Sequence, residues 1–302
     1  MDETAWLSER FEDHRGHLRA VAYRMLGSLT EADDAVQDAW LRVSRSGTSQ
    51  VENLGGWMTT IVARVCLNML RARNVRREQL VDFHVPDPVV TLQSGGLQPE
   101  QEALLADSIG LALLVVLDTL APAERLAFVL HDLFGLPFEE IAPMVERTPT
   151  AARQLASRAR RRVRGAAQDA PETDLGLQRA MVDAFFAAAR NGDFDALVGM
   201  LDPDVVLRID GGTGLPAASL LLRGPEAVAR QAGRGLRSAF ARPGMRLRPA
   251  LVNGAAGVVV TADGRPMTVI GFTIANGKIV EIDAVSDPQR VLTIAAAILA
   301  NG

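Results

Sequence analysis

The sequence has one cysteine and one tyrosine in 302 residues. Lys278 is its only lysine. A lone Cys66 cannot form an internal bridge, so a disulfide scaffold is excluded, and no signal-peptide pattern precedes Asp2 and Glu3. A reducing cytoplasm is the expected setting. The longest uninterrupted apolar runs, Leu111 to Leu117 and Ile294 to Ala300, fall far short of the roughly 20 residues that a membrane span needs. No contact with a membrane is expected. Also missing are a Walker loop, paired Cys/His metal spacing and a Gly-x-Ser-x-Gly elbow. Neither metal nor cofactor is expected on this chain.

What is present is enough for two or three folded domains: 48% of residues are apolar and the formal charge is only −4. That mild acidity hides strong local bias. From Arg64 to Arg77 there are five arginines and no acid; from Arg147 to Arg164 there are seven arginines and again no acid. Between these stripes, Glu100 to Glu146 holds nine acids against Arg125 alone. A nucleic acid samples a surface patch rather than the whole-chain sum, so two separate basic patches point to DNA despite the net charge. The preference for Arg over Lys fits an Arg-rich codon usage first, and bidentate reading of phosphate and guanine second.

Periodicity divides the chain. Leu18, Val21, Ala22 and Met25 share one helical face, and Ala32, Ala35, Val36, Ala39 and Trp40 share another, with Thr30 as the expected cap before Glu31. A third helix runs from about Leu54 to Arg77 after a polar break at residues 44 to 50. The segment 81–103 opens as a linker held extended by Pro86 and Pro88. Helices then resume with an apolar stretch to Leu120, a helix opened by Pro122 and stopped by Gly135, a short one after Pro137, and one from Pro149 to about Arg164 capped by Thr148. The last two, joined by a short turn, match a helix-turn-helix. After Pro171 the texture becomes α+β. Helices are expected at Leu177 to Arg190, Phe194 to Leu201 and Pro225 to Phe240, and strands at Val205 to Asp210, Met245 to Val252, Gly257 to Ala262, Pro266 to Ala275 and Lys278 to Val285. Asp263-Gly264 and Asn276-Gly277 are hairpin turns. A curled antiparallel sheet forming a small open barrel is the expected result.

The helix after Pro149 places Thr150, Arg153, Ser157, Arg160, Arg161 and Arg164 on one broad polar face, with Thr148 at its start. Residues near the N-terminus of such a helix reach base edges and later ones meet phosphates. Thr150, Arg153 and Ser157 are therefore the base-reading candidates, and Arg158, Arg160, Arg161 and Arg162 the backbone clamps. The earlier stripe adds an aromatic: Trp57, Thr59, Thr60, Arg64, Asn68, Arg71 and Arg73 suit unstacked single-stranded DNA, although Trp57 serves equally well as a core anchor. Asp33, Asp34, Val36, Gln37, Asp38 and Trp40 form an acidic and apolar face that repels phosphate and calls for a protein partner or solvent.

Together these segments resemble the extracytoplasmic-function sigma factors of bacterial RNA polymerase. EADDAVQDAWLRV is similar to region 2.2, which docks on the coiled coil of the polymerase β′ subunit. NLGGWMTTIVARVCLNMLRARNVRRE is similar to regions 2.3 and 2.4, which melt and read the −10 element. The segment from Leu117 to Arg164 is similar to region 4, whose last helix enters the −35 major groove. The resemblance implies core RNA polymerase as partner, through its β′ coiled coil and β flap, and promoter DNA as target. It assigns Asp33, Asp34, Gln37, Asp38 and Trp40 to polymerase, Trp57, Thr60, Arg64, Asn68, Arg71 and Arg73 to the −10 element, and Thr148, Thr150, Arg153, Ser157, Arg158, Arg160 and Arg161 to the −35 element. The final third resembles the SnoaL-like, cystatin-like barrel found on a sigma-J-like subgroup. Two hallmarks of that subgroup appear in altered form: His84-Val85-Pro86-Asp87-Pro88 stands where a Trp-Leu-Pro-Glu-Pro motif is usual, and Asp210-Gly211-Gly212-Thr213-Gly214 where Asp-Gly-Gly-Gly-Lys is usual. Pro86, Asp87, Pro88, Asp210, Gly211 and Gly212 are thus the expected regulatory contacts between linker and barrel.

The implied organisation is two all-α domains, a region 2 helical bundle (1–80) and a region 4 helix-turn-helix (104–167), followed by an α+β barrel (172–302). Barrels of this kind include enzymes, but every His, Tyr, Cys and Trp lies before residue 175. A base would have to be an acid, and Asp210 is the best placed, with a turn Asp bonding local amides as the favoured alternative. No catalysis is expected. Phe185, Phe186, Phe240 and Phe272 could line a pocket for a small apolar ligand, or simply pack the core. Two rival functions share these residues: a ligand-sensing regulator that binds operator DNA without polymerase, and a polyketide-cyclase-like enzyme fused to DNA-binding helices.

Overall fold

The computed structural model describes residues 3–46, 53–77, 84–91, 110–166, 171–212 and 219–296. By contacts, the chain divides into two compact units. One comprises residues 1–82, 98–107 and 113–166; the other comprises 83–97, 108–112 and 167–302. Thr213 and Gly214, part of the second motif above, lie outside the described residues.

The first unit is helical. α1 (Glu3–Leu26) ends at Gly27, whose φ of 70° reverses the chain. α2 (Leu29–Val43) is capped by Ser28, whose hydroxyl accepts from the Glu31 amide at 3.4 Å. Thr30 is therefore not the cap: Ser28 already holds the extended conformation at φ −130°, ψ 131°, and Thr30 falls inside the first turn. α3 (Leu54–Arg77) completes the bundle. Leu18, Val21, Met25, Ala32, Ala35, Val36, Met58, Val62 and Cys66 form its buried interior. Burial pushes the Cys66 thiol up, so Cys66 is an inert packing residue.

α4 (Leu111–Asp118) and α5 (Pro122–Phe128) follow, the latter running on into a wider π turn at Val129–Leu133 before Gly135. The helix expected after Pro137 is one turn only, α6 (Phe138–Ile141), because Pro143 has no N–H with which to extend it. α7 (Pro149–Ala166) begins with Thr148 accepting from the Ala151 amide at 3.3 Å. Ala152, Ala156 and Ala159 are its buried face.

The second unit is a cone of sheet and helix. α8 (Leu175–Asn191), α9 (Phe194–Met200) and α10 (Pro225–Phe240) accompany β2 (Leu201–Asp210), β3 (Leu220–Arg223), β4 (Met245–Val252), β5 (Ala255–Ala262), β6 (Arg265–Ala275) and β7 (Lys278–Val285), with α11 (Pro288–Ile294) last. Positive φ at Asp263-Gly264 and Asn276-Gly277 makes both expected hairpins, and Asn253-Gly254 makes a third. The sheet order is β1-β4-β5-β6-β7-β2-β3, where β1 is the linker segment Val90–Thr91. The sheet is mixed rather than wholly antiparallel, since β2 runs parallel to β7. Alternation along β2 turns Leu207 and Ile209 to the concave face and Arg208 and Asp210 to the other. The same rule puts Ile282, Ala284 and Ser286 inside and Glu281 and Asp283 outside.

Candidate nucleic-acid interface and linker clasp

In the helical unit, Arg64, Asn68 and Arg71 line the exposed side of α3, with Trp57 and Thr60 half-buried a turn or more earlier. Thr60 Oγ1 donates to Gly56 O at 3.0 Å. Thr59, by contrast, is buried. Arg73 does not stand with the exposed group. Its guanidinium donates to Leu26 O at 3.1 Å, pairs with Glu31 and lies 3.6 Å from Asp118. Asp118 also holds Arg125 at 3.0 Å, and Arg125 Nε donates to Arg24 O at 3.3 Å. Two arginines thus satisfy carbonyls at the C-terminal end of α1, where a helix presents unpaired acceptors and a negative dipole end. Nothing in the residue pattern marks this out, because Arg73 carries the same spacing as its neighbours.

On α7, Thr148, Thr150, Arg153, Ser157, Arg158 and Arg161 are exposed and Arg160 is half-buried. Several are already oriented. Arg153 stacks its guanidinium 5.2 Å from the Phe138 ring centroid. Glu124, buried at 7% exposure, pairs through one oxygen with Arg158 at 3.1 Å and through the other with Arg162 at 2.9 Å. Asp132 sits 3.5 Å from Arg160, and burial raises its carboxyl against the pull of that arginine. The acids that separate the two basic stripes in sequence therefore serve in part as struts for arginines on α7.

The acidic face of α2 is exposed at Asp33, Asp34, Gln37 and Asp38. Asp33 takes a two-pronged bond from Arg19 at 2.6 and 3.1 Å, and Asp38 a long contact from Arg42 at 3.4 Å. Trp40 is half-buried against Phe11, ring centroids 5.0 Å apart. It is a packing residue of the α1 and α2 interface.

In the second unit the linker is bound along the sheet. Val90 and Thr91 pair with Val252 and Leu251. At the hairpin turn, Asn253 accepts from the Val89 amide at 2.6 Å and returns a bond from its own amide to Val89 O at 2.8 Å. Val85, Pro86, Asp87 and Pro88 are buried. Arg290 of α11 binds this segment twice, Nε to Asp87 at 2.6 Å and Nη2 to Val85 O, and its Nη1 donates to Asp210 of β2 at 2.7 Å. Asp210 also accepts from the Val85 amide at 2.9 Å and lies 3.0 Å from His84 Nδ1. Burial alone would raise the Asp210 carboxyl, but His84, Arg290 and the Val85 amide outweigh it and hold it well below the usual carboxylate range.

Of the linker and barrel residues singled out, Asp87 and Asp210 meet on Arg290, whereas the Gly211 amide donates to Ser219 Oγ at 3.1 Å; Arg290 is the residue that sequence reasoning missed. Its signal was readable: Asp287-Pro288 is a helix start, and Asp287 accepts from the Gln289 and Arg290 amides at 3.0 and 2.9 Å. Gly212, at φ 77°, lies so close to Asp287 that a Cβ would overlap its carboxylate. Asp210 faces away from the concave side and is ion-paired with Arg290.

The concave side holds a cavity of about 230 Å³ whose walls include Phe185, Phe186 and Phe272. Phe240 is not among them; its ring packs under Arg190, 4.5 Å from the guanidinium. Among the described residues no group of three His, Cys, Asp or Glu could hold a metal ion, and no helix is long and apolar enough to cross a membrane.

Comparison with known proteins agrees with this layout. Family models match in order: sigma-70 region 2 at residues 10–76, sigma-70 region 4 at 110–163, and a SnoaL-like domain at 182–282. The chain is 35% identical over 294 residues to the ECF RNA polymerase sigma factor SigJ of Mycobacterium tuberculosis, covering 93% of this chain and 91% of that protein. It is 31% identical over 288 residues to a probable ECF RNA polymerase sigma factor, SigI, of the same organism, covering 94% of each. The crystal structure of Mycobacterium tuberculosis SigJ superposes with a TM-score of 0.73 at 34% identity, covering 96% of this chain and 99% of that one. Two sigma-type helical regions, a mixed-sheet SnoaL-like extension and near full-length relatives agree: the chain belongs to the extracytoplasmic-function RNA polymerase sigma factors.

Proposed function

We propose that this sigma factor binds core RNA polymerase in the cytoplasm through the acidic face of α2 on the β′ coiled coil and through region 4 on the β flap. Trp57, Thr60, Arg64, Asn68 and Arg71 then address the −10 element and the exposed face of α7 the −35 element. Arg73 joins the first group only if its pairing with Glu31 and Asp118 opens. The working boundaries are 1–80, 81–103, 104–167 and 172–302. The C-terminal barrel regulates initiation by holding the linker, and its concave cavity is a small-molecule site rather than a catalytic one. The lining of that cavity, among the described residues, holds no acid, His, Lys or Arg to act as base or to stabilise an enolate.

The observation that carries the regulatory part is the capture of residues 84–91 by Asp210, Asn253 and Arg290. A segment that must set the spacing between two DNA-reading domains is here an added strand of the barrel sheet. The test is retention of core polymerase by the purified protein, followed by run-off transcription from the gene's own upstream region. Association and promoter-dependent transcripts are expected, with output altered by deletion of residues 171–302. Equal output with and without those residues overturns the regulatory reading; failure to associate with polymerase favours an operator-binding regulator instead.

A further inference from the structure

Two faces of one strand end meet at Ser286. Its side chain lines the concave cavity, where Ser286 Oγ and Thr268 Oγ1 lie 3.1 Å apart in a mutual hydrogen bond. Its backbone reaches the neighbouring strand: the Ser286 amide donates in the plane of the sheet to the backbone carbonyl of Asp210 at 2.8 Å, and the Asp210 side chain is part of the clasp. The next residue, Asp287, caps the helix that carries Arg290. The cavity and the linker clasp are thus joined by adjacent residues.

The cavity's chemistry limits what can enter. Phe185, Phe186 and Phe272 stand edge to face with centroids 5.7 to 5.9 Å apart. Its volume of about 230 Å³ leaves room for a molecule of one or two rings. Among the described residues its polar side chains are Gln231, Thr268 and Ser286. A charged group pressed against these walls would meet no counter-ion among the described lining residues, which is unfavourable. An uncharged ring bearing one hydroxyl or carbonyl would place its body on the phenylalanines and its polar group on the Thr268 and Ser286 pair.

We infer that the cavity binds such a molecule, uncharged, mostly hydrocarbon and bearing one hydrogen-bonding group, and that its polar group competes for Ser286 and loosens the clasp on residues 84–91. A ligand shifts an equilibrium only by its unequal affinity for the two states. The closed clasp coincides with an intact bond between Thr268 and Ser286. A ligand hydroxyl bonds Ser286 best once that pair has parted, and parting moves the strand end that holds Asp210 and starts the Arg290 helix. The effect of a loosened clasp on transcription rests on the proposal that the held linker regulates initiation; binding to the cavity and its coupling to the clasp do not.

The test uses the full chain and three probes of one size: 2-naphthol, naphthalene and 2-naphthoate. Titration calorimetry reads binding, and amide hydrogen exchange over residues 84–91 reads the clasp. The expectation is saturable binding of 2-naphthol and naphthalene at one site, with 2-naphthoate weaker by about tenfold or more. Saturating 2-naphthol should speed exchange at Val85 and Val89 several-fold, and naphthalene should not. Ser286→Ala should keep naphthalene binding and lose the exchange response to 2-naphthol. Ala232→Phe, which fills the cavity from the helix side, should abolish binding of both, with Ala284→Leu from the strand side as the second filling variant should the first fail to fold. Equal binding of 2-naphthoate, or binding that survives a folded filling variant, overturns the site. Unchanged exchange at 2-naphthol saturation overturns the coupling. Run-off transcription without any probe, with and without residues 171–302, separately decides the regulatory reading.

Discussion

Arg290 follows Asp87 by 203 residues, yet its Nε lies 2.6 Å from the Asp87 carboxylate while Nη1 lies 2.7 Å from Asp210. Both acids are nearly inaccessible, with side chains 4% and 6% exposed. One guanidinium is therefore shared by two buried carboxylates and ties the linker to the last helix. Removing one partner of a buried pair strands the other charge, at about 3 to 5 kcal/mol. Arg290→Ala should destabilise the second unit by an amount of that order in urea unfolding and expose Val85 and Val89 to thermolysin. Arg290→Lys keeps the charge but loses the planar fork, so it should fall between. Wild-type resistance of the linker in Arg290→Ala would refute the clasp.

Gly212 offers a sharper test of the same device, because its backbone and its surroundings can be separated. Gly212 and Gly254 have almost the same φ, 77° and 79°, but a Cβ at Gly212 would overlap Asp287 whereas one at Gly254 would meet nothing within 4 Å. Gly254→Ala should cost about 1 kcal/mol for left-handed backbone alone. Gly212→Ala should cost distinctly more, since the cap of the Arg290 helix must shift as well. Equal losses in urea midpoint would mean that the contact with Asp287 is not stabilising.

A second charge cluster sets the pH response. Arg208 is shared by Asp283 at 2.9 Å and Glu281 at 3.0 Å, two acids on one base. Burial, and the charge of Glu281, push the Asp283 carboxyl up to about 6 against the opposing pull of Arg208. Between the ordinary carboxylate value, about 3.9, and 6 the native state binds more protons than the unfolded one, so this group's contribution falls as pH rises through that window. At about 1.4 kcal/mol per unit, the change is on the order of 3 kcal/mol. Asp210 acts in the opposite sense but only in strong acid, because its native value lies below the usual range. Urea midpoints measured from about pH 4 to about pH 7 should decline, and Asp283→Asn should flatten the decline. A flat wild-type profile would refute the assignment.

Much of this was legible from residues alone. The helices of the first unit follow from spacing, and α3 begins and ends at the residues that the pattern indicated. Two hairpins followed from Asp-Gly and Asn-Gly pairs, whose positive φ is a local property. What escaped depends on partners distant in sequence. Val90–Thr91 reads as loop, and becomes a strand only because β4 offers an open edge. The parallel pairing of β2 with β7 has no local signature either. Arg73 resembles its exposed neighbours in every feature except the carbonyls of α1 that happen to face it. Thr30 and Ser28 are equally good caps by type, and the turn at Gly27 chose between them.

The arginines of α7 should separate into two classes in promoter binding by the holoenzyme. Arg153, near the helix start and stacked on Phe138, is placed for a base edge. Arg153→Ala should weaken binding by about 1 to 3 kcal/mol on the cognate −35 sequence and less on altered ones. Arg161, exposed and further along, should contact phosphate. Arg161→Ala should weaken all sequences alike and lower the salt slope by about one. Binding measured on cognate and scrambled −35 duplexes over a range of salt decides between these roles, and equal sequence dependence for both variants would reject the division.

The proposed docking of polymerase on the acidic face of α2 can be tested because Asp33 and Asp34 differ: only Asp33 is held by Arg19 through a two-pronged bond. Asp33 is already bonded to Arg19, so its reversal also places two cations together on the surface of the bundle. An exposed pair of this kind contributes at most about 1 kcal/mol, and the fold should survive. Asp34 is exposed, and Asp34→Arg changes the field of the face while leaving the Arg19 bond in place. If this surface docks on a basic partner, Asp34→Arg should slow association with core polymerase, and the deficit should shrink as salt screens it. The double reversal at Asp33 and Asp34 should reduce association about tenfold or more at moderate salt, with promoter-dependent transcripts falling in parallel and duplex binding by α7 unchanged. An operator-binding regulator would show none of this, because its DNA affinity would rise, if anything, on losing negative charge. Unaltered polymerase affinity in the double variant would therefore remove the α2 face from the docking surface.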